Sequence, residues 1–549
     1  MRRSGAQILV DQLLVHGVET VFCVPGESYL AVLDALRDSG IRIVVNRHEA
    51  ATTNMAEADG KLTGRPGACF VTRGPGATHA SIGLHTAAQD STPLVLFVGQ
   101  VPTSHLGREA FQELDYAQFF GGMAKSVAQP LRPDELPEAV EQAFTTAASG
   151  RPGPAVVALP EDVQVEQADT EDASPYRTER RAPSSEELHR LRALLAAAER
   201  PLIVVGGGGW TPGAADDLRR FAEASELPVA VSFRRQDYLD NRSPSYAGHL
   251  TLALDPRLAQ RVRDADLLLA IGTRLGEIAT QDWTLVELPR PRQRILHVHA
   301  DARELGRLFE PELAVHAGSP ELLAALEPVD GSRWRDWAGA ARDDYVANLR
   351  HDAMPGDVDL GGVMAYLRER LPEDAVLANG GGNFAGWANR FYEFKRYRTQ
   401  LAPASGAMGY GLPAAIAAKI RYPERTVVCI TGDGDFLMSA QELATAIRED
   451  APVVVLVVDN GMYGTIRMHQ ERHFPHRAVA TDLANPDFAA YARAFGAHGE
   501  RVERTEEFPE AFERAVAAGR PALLHLPVDP EGISHRDTIS SLRVSSLSA

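Results

Sequence analysis

"RTVVCITGDGDFLMSAQELATAIREDAPVVVLVVDN", residues 425–460, decides the architecture of this 549-residue chain. Its first apolar run is β-rich and ends at Thr431. Gly432-Asp433-Gly434 supplies a turn, "FLMSAQELATAIRED" has helical periodicity, and a second β-rich run arrives at Asn460. Strand, helix and strand at that length form one crossover unit of a parallel sheet. Open parallel sheets bind ligands outside the carboxyl ends of their strands. Asp433 and Asn460 stand at two such ends, 27 positions apart, so one unit brings them together. A carboxylate, an amide oxygen and a nearby carbonyl suit a hard divalent cation, with positions left for diphosphate oxygens and water. The glycines let the backbone approach phosphates, and the helix N-terminus adds its dipole. A lone GDG turn also reads as an ordinary loop; the asparagine at this spacing favours the metal clamp.

The same rhythm recurs outward from this stretch. "DAVLANGGG" and "PALLHLPV" complete a block over 355–530, followed by a tail at 531–549. "VETVFCVPG", "IRIVVN", "GACFVTRGPG", "TPLVLFVGQ" and "GPAVVALP" make an N-terminal block over 1–165. "RPLIVVGGGG", "ADLLLAIGTRLG" and "RILHVHAD" mark a central block over 186–328. The expectation is an α/β chain of three doubly wound parallel-sheet domains of similar architecture. "VEQADTEDASPYRTERRAPSSEE" reads as a polar linker, and 328–358 as a weakly patterned connection. "MRRSGAQILVDQLLVHGV" reads as an amphipathic helix rather than a signal peptide. A formal charge of −18 leaves no basic excess for a nucleic-acid partner, and no apolar run reaches the about 18 residues that span a membrane. Cys23, Cys69 and Cys429 all lie in apolar surroundings and suggest neither disulfides nor a thiolate metal site, which fits a cytoplasmic protein.

The GDG turn followed after 25 residues by asparagine resembles the diphosphate-binding motif of thiamine-diphosphate enzymes. The resemblance implies thiamine diphosphate and Mg²⁺, the metal held by Asp433, Asn460 and the main-chain oxygen of Met462. It implies cofactor contacts from Pro25, Gly26, Gly432, Gly434, Asp435, Tyr463 and Gly464, with Asp459 structural. "ASGAMGYGLPAAIAA" looks like the family's cofactor-bending stretch, with Met408 wedged between the two rings and the Gly406 carbonyl facing the 4′-amino group. Read alone, that stretch is equally the start of a buried helix. Glu49, read alone, is a helix-initiating acid favoured by the dipole; the resemblance makes it the glutamate that exchanges a proton with N1′ of the aminopyrimidine. The family also builds its site between the first domain of one subunit and the third of another, so a homodimer is the minimum and a homotetramer is expected.

"VPGESYLAVLDAL", "RGPGATHASIGLHTAAQDSTPLVLFVGQV", "AFQELD" and "SGRPGPAVVALPEDV" resemble acetolactate synthase large subunits over nearly the whole chain. That resemblance places Phe111, Gln112, Lys125 and Ile466 around the reaction cavity. Three positions depart from it. His79 and His469 stand where the group has asparagine and tryptophan, and each histidine is either a proton shuttle or an ordinary packed side chain. Ile278 stands where the group has the arginine that receives the second oxo acid's carboxylate, and losing a bidentate partner changes chemistry. Arg274 or Arg467 would have to supply the missing charge. In the central block Gly207, Gly208, Gly272, Arg274 and Asp301 resemble flavin contacts, leaving FAD, ADP or nothing as occupants. The expected activity is decarboxylation and carboligation of 2-oxo acids such as pyruvate. The rivals are a 2-hydroxyacyl-CoA or acyloin lyase and a simple 2-oxo acid decarboxylase. A dinucleotide oxidoreductase built on "GGGG" leaves Glu49, Asp433 and Asn460 unexplained.

Overall fold

The computed structural model describes residues 2–351 and 353–546. Its strands, in chain order, are β1 Arg3–Ser4, β2 Thr20–Cys23, β3 Arg42–Val45, β4 Gly67–Val71, β5 Leu94–Gln100, β6 Ser126–Ala128, β7 Pro154–Pro160 and β8 Gln167–Ala168 in the first third. β9 Pro201–Val205, β10 Val229–Val231, β11 Tyr246–His249, β12 Leu267–Ile271, β13 Arg294–His299 and β14 Leu313–His316 follow. β15 Val376–Asn379, β16 Gln400–Leu401, β17 Val427–Gly432, β18 Val454–Asp459, β19 His498–Arg501 and β20 Ala522–Pro527 complete them. They form three six-stranded parallel sheets, ordered β3-β2-β4-β5-β7-β6, β11-β10-β9-β12-β13-β14 and β16-β15-β17-β18-β20-β19. Helices pack on the sheets, so central strands such as β5 and β18 are aliphatic and almost wholly buried.

The expectation of three similar domains needs one correction. The first and third sheets share the order second-first-third-fourth-sixth-fifth; the central sheet runs third-second-first-fourth-fifth-sixth. Only the outer two are topological twins. The linker is also more than a connection. β8 pairs antiparallel with β1, Ala173 N donates to Gln12 Oε1 (3.0 Å) and Tyr176 N to His16 Nδ1 (3.1 Å), strapping the segment to the helix Gly5–Val15. The 328–358 stretch carries a 14-residue helix, Arg335–Asn348, and the fully buried Trp334 belongs to the central core. "FLMSAQELATAIRED" is broken into Asp433–Leu437, a 3₁₀ turn Ala440–Glu442 and Leu443–Arg448.

The domains lock together around buried charge. The helix Glu49–Thr63 packs on Gly411–Arg421. Tyr410 Oη donates to Glu57 (2.6 Å), Lys61 lies 3.2 Å from both Glu57 and Asp90, and Arg235 of the central domain lies 3.2 Å from Asp90. Burial alone would raise Asp90; Lys61 and Arg235 hold it below its ordinary range. No helix among the described residues is long and apolar enough to cross a membrane.

Candidate active site

β17 and β18 deliver the third domain's polar groups side by side. Gly432 caps the helix Asp433–Leu437, whose first residue is the buried Asp433. Asp433 Oδ1 accepts from Gly434 N (2.9 Å) and Oδ2 from Asn485 Nδ2 (2.8 Å). The same Asn485 amide donates to Asp459 Oδ1 (2.8 Å), and Asp459 also accepts from Gly461 N (3.0 Å) and pairs with His525 Nε2 (2.9 Å). Asp459 is thus a brace beneath the loop. Asn460 Oδ1 accepts from Met462 N (3.2 Å) across Gly461, which sits at φ +68°. Burial, reinforced by the like charge of Asp459, pushes Asp433 up to about 6. A desolvated carboxylate beside amide and carbonyl oxygens is a hard-cation donor set, so these residues fit Mg²⁺.

Around them lies a cavity of 230 Å³ whose walls come only from residues 360–533. Gly432, Asp433, Gly434, Asn460, Met462, Tyr463, Gly464 and Ile466 line it, with Gly406 and Met408 also in its wall. Asp435 lines it too, but both its oxygens are taken, by Thr431 Oγ1 (2.6 Å) and Gly409 N (2.7 Å). Burial pushes that carboxylate up to about 6, and it ties the helix Asp433–Leu437 to the Gly406–Gly409 stretch. The Tyr463 ring packs onto the turn closely enough that a Cβ at Gly434 would lie 2.7 Å from it.

The first domain presents the matching edge. Glu49 opens the helix Glu49–Thr63, capped by His48, whose Nδ1 accepts from Ala50 N (3.1 Å). Glu49 Oε2 is 2.9 Å from His79 Nδ1, and the His79 ring stacks on His48 at 4.5 Å. Burial, with His79 beside it, lowers the His48 pKa. Pro25 and Gly26 follow β2, and Thr72 at the end of β4 packs on both Gly26 and Gly76, the latter next to Glu49 Oε1. Gln112, at φ +64°, accepts from Gly74 N (3.0 Å) at the start of the His79 helix, and the neighbouring Phe111 side chain is 73% exposed. None of these first-domain residues lines the third domain's cavity in the same chain.

The remaining expectations scatter. Lys125 donates to the carbonyls of Ser149 (2.7 Å) and Thr146 and lines a separate 770 Å³ cleft between the domains; burial lowers it to about 8. His469 lines a chamber next to the diphosphate cavity. Neither arginine proposed to replace the missing one lines the cavity around Asp433 or the chamber beside it; Arg274 donates to Gln89 O (3.1 Å) and Arg467 to Glu471 (2.9 Å). Of the groups resembling flavin contacts, Gly207, Gly208 and Asp301 line that same 770 Å³ cleft, and all of them also pack or bond within the chain. Gly207 O accepts from Tyr238 Oη (2.6 Å) and Arg235 Nε (3.2 Å), and a Cβ on Gly208 would lie 2.1 Å from Ser91 O. Gly272 packs against Gly206 and Ser319, and Asp301 pairs with Arg303 (2.7 Å). Asn485, Arg472 and Arg536 escaped the sequence reading: Asn485 looks like part of a helix-capping "NPD" and the two arginines like solvated charges.

Comparison with known proteins decides the family. The acetolactate synthase isozyme 2 large subunit of Escherichia coli (strain K12) is 32% identical over 98% of this chain and 100% of its own length. The chain belongs to the thiamine pyrophosphate enzyme family. Its models match in order: the N-terminal TPP binding domain over residues 3–119, the central domain over 188–326 and the C-terminal TPP binding domain over 380–526. The probable acetolactate synthase large subunit of Methanocaldococcus jannaschii is 31% identical over 96% of this chain and 92% of its own length. The acetolactate synthase large subunit of Corynebacterium glutamicum is 32% identical over 94% and 85%. This is an acetolactate-synthase-like, thiamine-diphosphate-dependent enzyme, and the relatives favour carboligation over the lyase reading.

Proposed function

We propose that the enzyme decarboxylates a 2-oxo acid such as pyruvate and joins the remaining acyl unit to the carbonyl of an acceptor. The bond to the donor's carboxylate breaks with release of CO₂, a new carbon–carbon bond forms, and the acceptor oxygen takes up one proton. What carries this reading is the pairing of Asp433 and Asn460 at adjacent strand ends around one cavity that also contains Met408. Thiamine diphosphate, when bound, supplies the carbon nucleophile and the electron sink. The chain's own residues do the rest. Asp433, Asn460 and the Met462 carbonyl hold Mg²⁺ and through it the diphosphate. Gly406 and Met408 shape the opposite wall. Glu49 holds or releases a proton at the aminopyrimidine N1′, and His79, bonded to its other oxygen, fixes the carboxylate's direction. Gln112 and Phe111 stand at the edge of the same surface.

Because Glu49 lies outside the cavity formed by its own third domain, the working enzyme is a homodimer or larger, each site joining two chains. In the central domain Gly207, Gly208 and Asp301 line the 770 Å³ cleft together with Trp210, Arg235 and Tyr238, a space large enough for FAD or ADP. The test is turnover of pyruvate with added thiamine diphosphate and Mg²⁺. CO₂ and acetolactate are expected, and Glu49→Gln is expected to abolish both while cofactor binding, read by calorimetry, survives. Undiminished turnover by that variant would overturn the assignment of the base.

A further inference from the structure

A cluster of titratable side chains on the first domain stands apart from the oxygen donors around Asp433. His48, Glu49 and His79 each offer one ligand atom, and these three atoms lie within 4.8 Å of one another. No other group of three His, Cys, Asp or Glu among the described residues comes together in this way. Two helices packed against each other build it. His48 caps the helix Glu49–Thr63, which Glu49 opens, and His79 belongs to the helix Gly74–Asp90. The His48 and His79 rings stack at 4.5 Å with 29° between their planes, and His79 Nδ1 lies 2.9 Å from Glu49 Oε2. The floor is held in place: Arg47 N donates to both oxygens of the buried Glu442 (3.1 and 3.3 Å), and Thr52 Oγ1 donates to His48 O (3.3 Å). The roof is open, since the His79 side chain is 52% exposed.

Two imidazoles and a carboxylate are the donor set of a borderline first-row divalent cation, with the fourth position left to solvent. Bonds of about 2.0–2.1 Å in tetrahedral array put ligand atoms roughly 3.3 Å apart, so the three side chains need close by at most roughly 1.5 Å. The half-exposed His79 has the freedom to do so. Burial, with His79 beside it, lowers His48, which keeps that ring neutral and its lone pairs available. Binding has a cost. His48 Nδ1 accepts from Ala50 N (3.1 Å), and coordination through either ring nitrogen gives up that cap. One cap and the Glu49–His79 hydrogen bond are exchanged for three metal–ligand bonds. Mg²⁺ gains little here, because a hard cation prefers oxygen ligands such as those of Asp433 and Asn460. The two kinds of cation are therefore sorted by ligand chemistry.

We propose that His48, Glu49 and His79 form an inhibitory site for Zn²⁺ and cations of its class. The site itself stands on the geometry; its effect on turnover rests on the reading of Glu49 as the base. A metal-bound carboxylate is held deprotonated, so Glu49 can no longer take up the proton that exchange at N1′ requires. An asparagine at position 79 would leave only His48 and Glu49, too few ligands to hold the ion.

The test has two arms. In the first, Co²⁺ is titrated into the full-length protein without thiamine diphosphate and in excess Mg²⁺, and visible absorption is read. One Co²⁺ per chain is expected, with the strong bands of four-coordinate cobalt, displaced by an equal amount of Zn²⁺. H48Q and H79N should each weaken binding at least about tenfold, since loss of even an outer-shell partner costs about 10–100-fold. H48Q also removes a helix cap, so H79N decides. H469Q/H473Q, which removes the exposed stacked pair on the helix Gly464–His473, should bind as wild type does. Absent bands, binding unchanged in H79N, or binding lost in H469Q/H473Q overturns the proposal. In the second arm, Zn²⁺ is added before thiamine diphosphate and pyruvate turnover is measured with Mg²⁺ in excess. The Zn²⁺ concentration that halves the rate should be at least about tenfold higher for H79N than for wild type. Zn²⁺ that displaces Co²⁺ yet leaves wild-type turnover unchanged overturns the inhibitory role. Cobalt bands that vanish in H79N, in a protein that never turns over pyruvate, would overturn the carboligase reading and leave the metal site standing.

Discussion

At the residue scale, the glutamate proposed as the base is set by its neighbour. Glu49 has one oxygen beside Gly76 and the other on His79 Nδ1 at 2.9 Å, so a single histidine fixes the carboxylate's orientation. A hydrogen bond to a charged group is worth about 1.5–3 kcal/mol, and its loss should slow the proton-exchange step by about 10–100-fold. His79→Ala is expected to show that loss with cofactor affinity unchanged, whereas His79→Asn, which keeps a donor, should recover most of it. If both variants fell equally in kcat, the hydrogen bond would not be what positions Glu49. The Asp433–Asn460 pair shows why some residues were legible and others not. Asp433 and Asn460 could be paired from sequence because one crossover unit fixes their separation. Asn485, the amide bridging Asp433 and Asp459, arrives from 52 positions downstream, beyond anything local pattern reports.

Among the elements, the C-terminal helix Ile539–Ser546 is the one whose attachment is most ionic. Arg543 makes a two-pronged pair with Glu471 (2.8 and 2.7 Å), and Glu471, whose side chain is wholly buried, also binds Arg467. Arg543, supported by Arg467, lowers the Glu471 carboxyl from 4.5 to about 2. A folded value below the unfolded one means that this contribution is complete above about pH 4.5 and is lost as pH falls from there toward 2. Hydrogen exchange across 539–546 should therefore accelerate over that acid window. In Glu471→Ala it should already be fast at neutral pH, since leaving two arginines without their shared carboxylate costs about 3–5 kcal/mol. Slow exchange in that variant would show that Met462, Ile533, Ile539 and Leu542 hold the helix by packing alone. The same contrast explains which strands the sequence revealed. β5, β17 and β18 are buried aliphatic runs and announce themselves. The edge strands β6, β16 and β19 are only three, two and four residues long, too short to carry an alternating or apolar pattern, and they left no signal. The helix after Asp433 read as continuous because periodicity is blind to the close approach of Gly409, where a Cβ would sit 3.0 Å from that of Met438.

For the whole molecule, the decisive fact is that the outer sheets are twins while their functional edges do not meet in one chain. Glu49 follows β3 of the first sheet; Asp433 and Asn460 follow β17 and β18 of the third; the cavity of the third domain contains no first-domain residue. Two chains in twofold arrangement would complete two sites, each taking Glu49 from one chain and Asp433 from the other. This can be tested by mixing two inactive variants, Glu49→Gln and Asp433→Asn, through a cycle of dissociation and reassembly. A hybrid dimer then holds one site with both residues intact and one with neither. Random reassortment of equal amounts makes half the dimers hybrid, so about a quarter of wild-type turnover should return, with separately reassembled variants remaining dead. Were each site built within a single chain, every site in the mixture would keep its own lesion, and no activity would reappear at any ratio.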